Sequence, residues 1–284
     1  MTAGFRFAPG GRQRLRLVDD LLDAAYGAPE AVLGNQANAL DEAVYIILSF
    51  QTDLPRFRKT WQSLRSAFPR WEDAEGASVD DIAAVLRAGG LHRQKARSIK
   101  DLLAAVRDGF GKLSLDALHE LGDAEAERVL TRLPGLSWKG ARCVLLYSLR
   151  REVFPVDGNT FRILWRAGVI PRSAVYRRRS LHDTLQAAVP ADRRRPYHVN
   201  LVVHGQLVCL PATPRCGICP AVDACQRRGL APLDGPRGDS PPEHAVRGPA
   251  SDLGGPSAGQ HAERPSTGSP GSAPPEIRQV AGRG

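Results

Sequence analysis

Long apolar runs are missing from this chain of 284 residues: the longest, around residues 44–50, is broken by Tyr45 and Ser49, far short of the ~18 that span a bilayer. The first eleven residues hold no continuous apolar stretch either, so a secretory signal is not expected. The chain should be cytoplasmic, associated with the nucleoid if its cell is bacterial, and without a membrane partner. No segment of convincing length alternates apolar and polar residues, which excludes a sheet-based core. Lysine is scarce: Lys59, Lys95, Lys100, Lys112 and Lys139 are five among 39 basic residues, so 34 are arginine. Arginine cannot replace an attacking amine, because its guanidinium does not deprotonate in proteins. Cysteine is also scarce, with five residues in all.

What is abundant is unevenly placed. Residues 230–284 carry ten Pro and ten Gly with almost no large apolar side chains, a composition that cannot bury enough surface to fold, so a disordered tail is expected there. That tail holds six acidic and five basic residues, which leaves 34 basic against 24 acidic in the first 229. The positive charge therefore belongs to the part that folds, and such a surface favours a polyanion.

The rest of the chain reads as helices. Apolar residues recur at helical spacing over 12–25, 41–50, 54–68 and 93–106. Ser78 opens a further helix that ends at Gly89-Gly90, and Ser114 and Asp123 open two short ones. Beyond Gly168, helices are expected over 174–189 and 197–208. The class is all-α.

One stretch, 133–162, stands out. Leu133-Pro134-Gly135 is a turn, Ser137 stands where an N-cap belongs, and a helix over 138–150 then carries Lys139 in its first turn. Asp157-Gly158-Asn159 starts the next helix, whose apolar residues include Phe161, Ile163, Leu164 and Trp165. A helix N-terminus carries about half a positive charge. That field stabilises a carboxylate at Asp157 and is expected to push Lys139 towards the free amine, a nucleophile.

Four of the cysteines form Cys209-x6-Cys216-x2-Cys219-x5-Cys225 on a segment rich in Pro and Gly. Spacing this tight lets four thiolates converge on one centre, and on chemical grounds either zinc or an iron-sulfur cluster fits. Disulfides are disfavoured where thiols stay reduced. Cys143 sits mid-helix among apolar residues and reads as a core thiol.

LPGLSWKGA, then FPVDGNTFR, then the cysteine loop together resemble the endonuclease III branch of the helix-hairpin-helix DNA glycosylases, over roughly residues 15–229. The resemblance implies that Lys139 and Asp157 are the catalytic pair and that the cysteines hold a [4Fe-4S] cluster rather than zinc. It implies a flexible N-terminus over 1–11, an N-terminal helix over 12–36 packed on the cluster domain, and a six-helix domain with the hairpin over 37–155. A cluster domain over 156–229 precedes the tail. Gly135 and Ser137 form the hairpin turn that meets a phosphate, with Ser137 where the family has a second glycine. The segment around Gln51 resembles, one residue shorter, the one whose glutamine fills the hole left by an extruded nucleotide; Leu91 and His92 lie in the loop whose leucine wedges into the opposite strand. Arg215, Arg227 and Arg228 are candidate phosphate contacts beside the cluster.

The activity so implied is base-excision repair: removal of damaged, oxidised pyrimidines from double-stranded DNA by a monomer, through a lysine Schiff base and β-elimination. Two alternatives stand beside it. Asp157-Gly158-Asn159 is closer to the adenine glycosylase branch, which would make the enzyme monofunctional, and a non-catalytic iron-sulfur DNA-binding protein would keep hairpin and cluster alone.

Overall fold

The computed structural model describes residues 5–29 and 34–230. Among these the chain is all-helical, with eleven α-helices, three short 3-10 turns and no strand. The expected Pro/Gly-rich tail lies, after its first residue, outside the described residues.

The helices begin where the side chains supply caps. Asn38 accepts from the N–H groups of Leu40 and Asp41 to open α2 (Ala39–Ser49), and Asp53 accepts from Arg56 N at 3.0 Å to open α3 (Leu54–Ala67); each satisfies a helix donor that has no intrahelical partner. After α4 (Trp71–Gly76), Ser78 and Asp81 cap each other at the start of α5 (Val79–Val85). Then α6 (His92–Phe110) runs to Gly111, whose φ of +72° ends it. With α7 (Asp123–Arg132) and α8 (Trp138–Tyr147), these elements enclose one apolar core that includes Val44, Ile47, Leu64, Ile82, Ile99, Leu103, Leu130 and Val144.

A second core gathers α1 (Gly11–Tyr26), α9 (Gly158–Arg166), α10 (Arg179–Ala188) and α11 (Ala191–Leu207) around Val18, Leu22, Phe154, Leu164, Leu185 and Leu201. The span from Tyr197 to Gly205 is buried on every side, so α11 is the central helix of this half. The chain thus leaves its N-terminal helix, builds the first core, and returns at residue 154 to finish the second.

Several expectations change. α4 was not anticipated, α10 begins five residues after 174, and α11 begins at Ala191 although Pro196 lies inside it. Asp123 is the first residue of α7, and its cap position is Gly122. The N-terminal segment was expected to be loose, yet from residue 5 onward it is tied down. Ala8 is buried and donates to Val169 O at 3.1 Å, and the Arg12 guanidinium stacks 4.8 Å above the Phe7 ring.

Candidate active site and cysteine loop

Between the two cores lies a cleft of about 1290 Å³, which takes residues from α2, α6, α7 and α8 on one side and α9, α10 and α11 on the other. Lys139 and Asp157 both line it. Each is held by the start of its helix: Ser137 accepts from Gly140 N to cap α8, and the Asp157 carboxylate accepts from Thr160 N at 2.7 Å to cap α9. Asn159 Nδ2 adds a second donor to Asp157 at 3.1 Å. Asn159 can sit there because Gly205 of α11 faces it; a Cβ on Gly205 would lie 2.6 Å from Asn159.

The electrostatics of the pair correct one expectation. Burial opposes the Lys139 ammonium, but the charges of Cys143 and Tyr176 where these ionise, with those of Asp157 and Glu42, outweigh that, and its pKa lies above the ordinary lysine value. The net shift is the reverse of the push towards the amine expected at a helix N-terminus. Cys143 and Tyr176 are themselves pushed up to about 12 by burial and are neutral at pH 7. Asp157 supplies the lasting negative charge: burial would raise its pKa, but His198, the Thr160 N–H and Lys139 together hold it below the usual carboxylate range. His198, lowered to about 4 by burial, is neutral at pH 7. Behind Lys139, Glu42 is pushed up to about 7 by burial, although Asn35 Nδ2 at 2.6 Å and Gln36 N at 2.7 Å both donate to it.

Gln51, Leu91 and Ser137 line the same cleft. Leu91 is 43% exposed, unusual for a large apolar side chain. Gln51 at φ +50° and Leu91 at φ +48° are both left-handed, a conformation that costs a non-glycine residue of order 1–3 kcal/mol and concentrates at functional sites. Gly135 at the hairpin turn is required twice over: its φ is +80°, and a Cβ would lie 2.8 Å from Ile47 Cδ1. Ser137, at φ −95°, has backbone any residue adopts, so the hairpin does not need a second glycine there. Neither His92, half-buried at the start of α6, nor Gly135 lines the cleft itself.

Sequence reasoning missed much of the far wall. Tyr176, Arg177, His182 and Gln206 line the cleft with Trp138, as do Arg128 and Arg132 from α7. Arg177, Arg128 and Arg132 are exposed. Their only advance signal was the general excess of arginine.

The four loop cysteines are free thiols, and all four line one small cavity of about 30 Å³, away from the cleft. No three His, Cys, Asp or Glu side chains among the described residues come together as a site for a single metal ion. Donors approach the sulfurs: Arg166 Nη1 to Cys209 Sγ at 3.4 Å and Arg227 N to Cys225 Sγ at 3.3 Å. Arg166 also donates to Leu210 O and Pro211 O, each at 2.7 Å, pinning the loop to α9. Arg215 is exposed; Arg228 donates to Ile170 O at 2.6 Å and to Gln226 Oε1 at 2.9 Å. None of the three candidate loop arginines lines the cleft.

A helical scaffold with a glycine-dependent hairpin turn beside a lysine–aspartate cleft is that of the helix-hairpin-helix DNA glycosylases. The chain belongs to the HhH-GPD superfamily of base excision DNA repair proteins, whose pattern matches residues 44–185. It is 31% identical over 206 residues to an Arabidopsis thaliana protein named as a DNA glycosylase, covering 71% of this chain and 69% of that protein. To endonuclease III of Thermotoga maritima it is 25% identical over 186 residues, 64% of this chain and 82% of that enzyme. Its match to the transcriptional activator DEMETER of Arabidopsis thaliana, 28% identical over 171 residues, takes in 55% of this chain and only 9% of that protein. The fold superposes on a solved non-covalent complex of endonuclease III with DNA at a TM-score of 0.66, with 22% identity, covering 76% of this chain and 95% of that one.

Proposed function

We propose that the chain excises a damaged, oxidised pyrimidine from double-stranded DNA and then nicks the strand, with Lys139 as nucleophile and Asp157 as the charge that supports it. One observation carries this reading: a lysine and an ionised carboxylate, on consecutive helix starts, line one cleft whose volume of about 1290 Å³ leaves room for an extruded nucleotide. A base inside a duplex cannot be reached, so it is first unstacked at a cost of a few kcal/mol, least where damage has already weakened the stack.

Lys139, held as an ammonium, gives up one proton to water and attacks C1′ through its nitrogen. The C1′–N bond to the base breaks, and the leaving base takes the proton that the attacking nitrogen sheds on bonding to C1′. Ionised Asp157 stabilises positive charge developing on the sugar. Ring opening yields an imine between Lys139 and C1′, which acidifies the C2′ proton; its loss expels the 3′ phosphate and cuts the strand. Gln51 and Leu91 are assigned to the gap and the opposite strand, His92 to the loop that carries the wedge, and Gly135 and Ser137 to a phosphate at the hairpin.

The four free thiols around one small cavity, with cationic Arg166 and Arg227 on its lining, fit a [4Fe-4S] cluster held by Cys209, Cys216, Cys219 and Cys225. Its contribution would be structural, fastening the loop against the second core, and Arg215, Arg227 and Arg228 are assigned to the DNA backbone, Arg227 from the edge of the cavity that it also lines. The protein acts as a monomer in the cytoplasm.

The test is borohydride reduction during turnover on a duplex holding an oxidised pyrimidine. The wild-type chain becomes covalently joined to the DNA and Lys139→Gln does not, while still binding the duplex; undiminished joining in that variant would remove Lys139 from the role.

A further inference from the structure

Of the five lysines, Lys95 is the one whose burial is almost complete, with 3% of its surface exposed. Among the described residues it has no carboxylate partner. Its Nζ donates instead to Gly89 O at 3.0 Å and to Thr52 Oγ1, and Thr52 Oγ1 donates in turn to Gly89 O at 2.8 Å. Burial pushes its pKa down, so placing an ammonium here is costly. A buried cation bonded only to neutral oxygens must be tied to something the fold needs held.

What it holds is informative. Thr52 directly follows Gln51, and Gly89 stands two residues before Leu91. Gln51 and Leu91 are left-handed, exposed and on the same cleft, and Gly90 between Gly89 and Leu91 is left-handed too, at φ +66°. The two segments come from the end of α2 and the start of α6, and nothing in their sequence fixes their separation. Gly89 is itself packed against α3, where a Cβ would lie 2.6 Å from Thr60 Oγ1.

We propose that Lys95 is a positioning residue that clasps the Gln51 segment to the Leu91 loop, so that the two side chains enter the duplex at a fixed separation and act as one unit. This rests on the reading above that Gln51 and Leu91 handle the two strands. Lys95 and Gly89 do not line the cleft, and Lys95 acts through Thr52, which does, and through Gly89. Removing it frees each segment to relax from its strained backbone, and extrusion of the target nucleotide becomes less complete at unchanged chemistry.

The full chain is tested on a duplex holding a tetrahydrofuran abasic analogue with 2-aminopurine opposite, whose fluorescence rises when the base is unstacked. Gln51→Ala and Leu91→Ala should each reduce the rise about fivefold. Lys95→Met should reduce it as much, with affinity for undamaged duplex changed less than twofold, and adding Leu91→Ala to Lys95→Met should lower it little further. Thr52→Val, which removes the hydroxyl at similar volume, should reproduce the loss if Lys95→Met does not fold, and Thr52→Ser should restore the rise. A loss of stability alone would leave the rise per folded molecule intact. A full rise in Lys95→Met, or in Thr52→Val, while Gln51→Ala and Leu91→Ala remain impaired, overturns the clasp and leaves the strand-handling reading standing. A full rise in both Gln51→Ala and Leu91→Ala overturns that reading and the clasp with it.

Discussion

At the scale of single residues, the direction of the Lys139 pKa has a kinetic consequence. The attacking form is the amine, and Lys139 holds its proton more tightly than an ordinary lysine of pKa about 10.4. The amine fraction therefore increases tenfold per pH unit across the neutral range, and single-turnover base release should rise with pH without a plateau below about pH 9; a plateau near pH 7 would place a different group in control. Asp157→Asn removes the charge that both supports the sugar cation and faces Lys139. It should slow base release about 10²–10³-fold, the scale of losing one preorganised electrostatic group. Rates near wild type would reduce Asp157 to a helix cap.

Glu42 offers a stability test with a definite sign. Its folded pKa of about 7 lies above the unfolded value near 4.5, so the folded state binds the extra proton. Its contribution is fully present below about pH 4.5 and is lost as pH rises towards 7. Glu42→Gln should remove that decline, measured as unfolding free energy against pH; an unchanged profile would show that Glu42 is ionised throughout. His198, lowered to about 4, acts oppositely, with stability lost as pH falls from about 6.5.

At the scale of elements, Lys139 and Asp157 were legible as candidates because each stands at a helix start, where turn, cap and apolar period coincide within a few positions of sequence. The cysteine loop was legible for the same reason: its spacing is local. The far wall was not, since Tyr176, Arg177, His182 and Gln206 reach the cleft only when the second core folds back against the first. Lys95 was equally hidden, because a lysine in a polar stretch reads as solvated and only the closing of the Gly89 turn and the Thr52 segment over its Nζ shows it buried. α4 escaped because six residues give too little period to detect. The hairpin itself is open to test. Gly135→Ala meets both an unfavourable φ and Ile47, so it should lower stability by about 1–3 kcal/mol and weaken duplex binding, read by denaturation and by titration with DNA.

At the scale of the whole molecule, the two cores are joined by an ion-pair network that is buried at Arg142 and Glu127 and half-exposed at Asp183. Arg142 of α8, 2% exposed, donates to Glu127 of α7 at 3.1 Å and to Asp183 of α10, so the helix that carries Lys139 is locked to both halves of the cleft. Arg142→Met leaves buried Glu127 with only the half-exposed Arg179, 4.0 Å away, and should cost about 3 kcal/mol of stability; a loss under 1 kcal/mol would mean that the cleft walls are held by apolar packing alone. All of this serves one chemical claim, that a single amine in the cleft takes the sugar. Mass spectrometry of the borohydride-reduced adduct, after digestion of protein and DNA, tests it most directly. One reduced deoxyribose, carried on Lys139, is the expected result; the same mass on any other amine, with Lys139 unmodified, would contradict it.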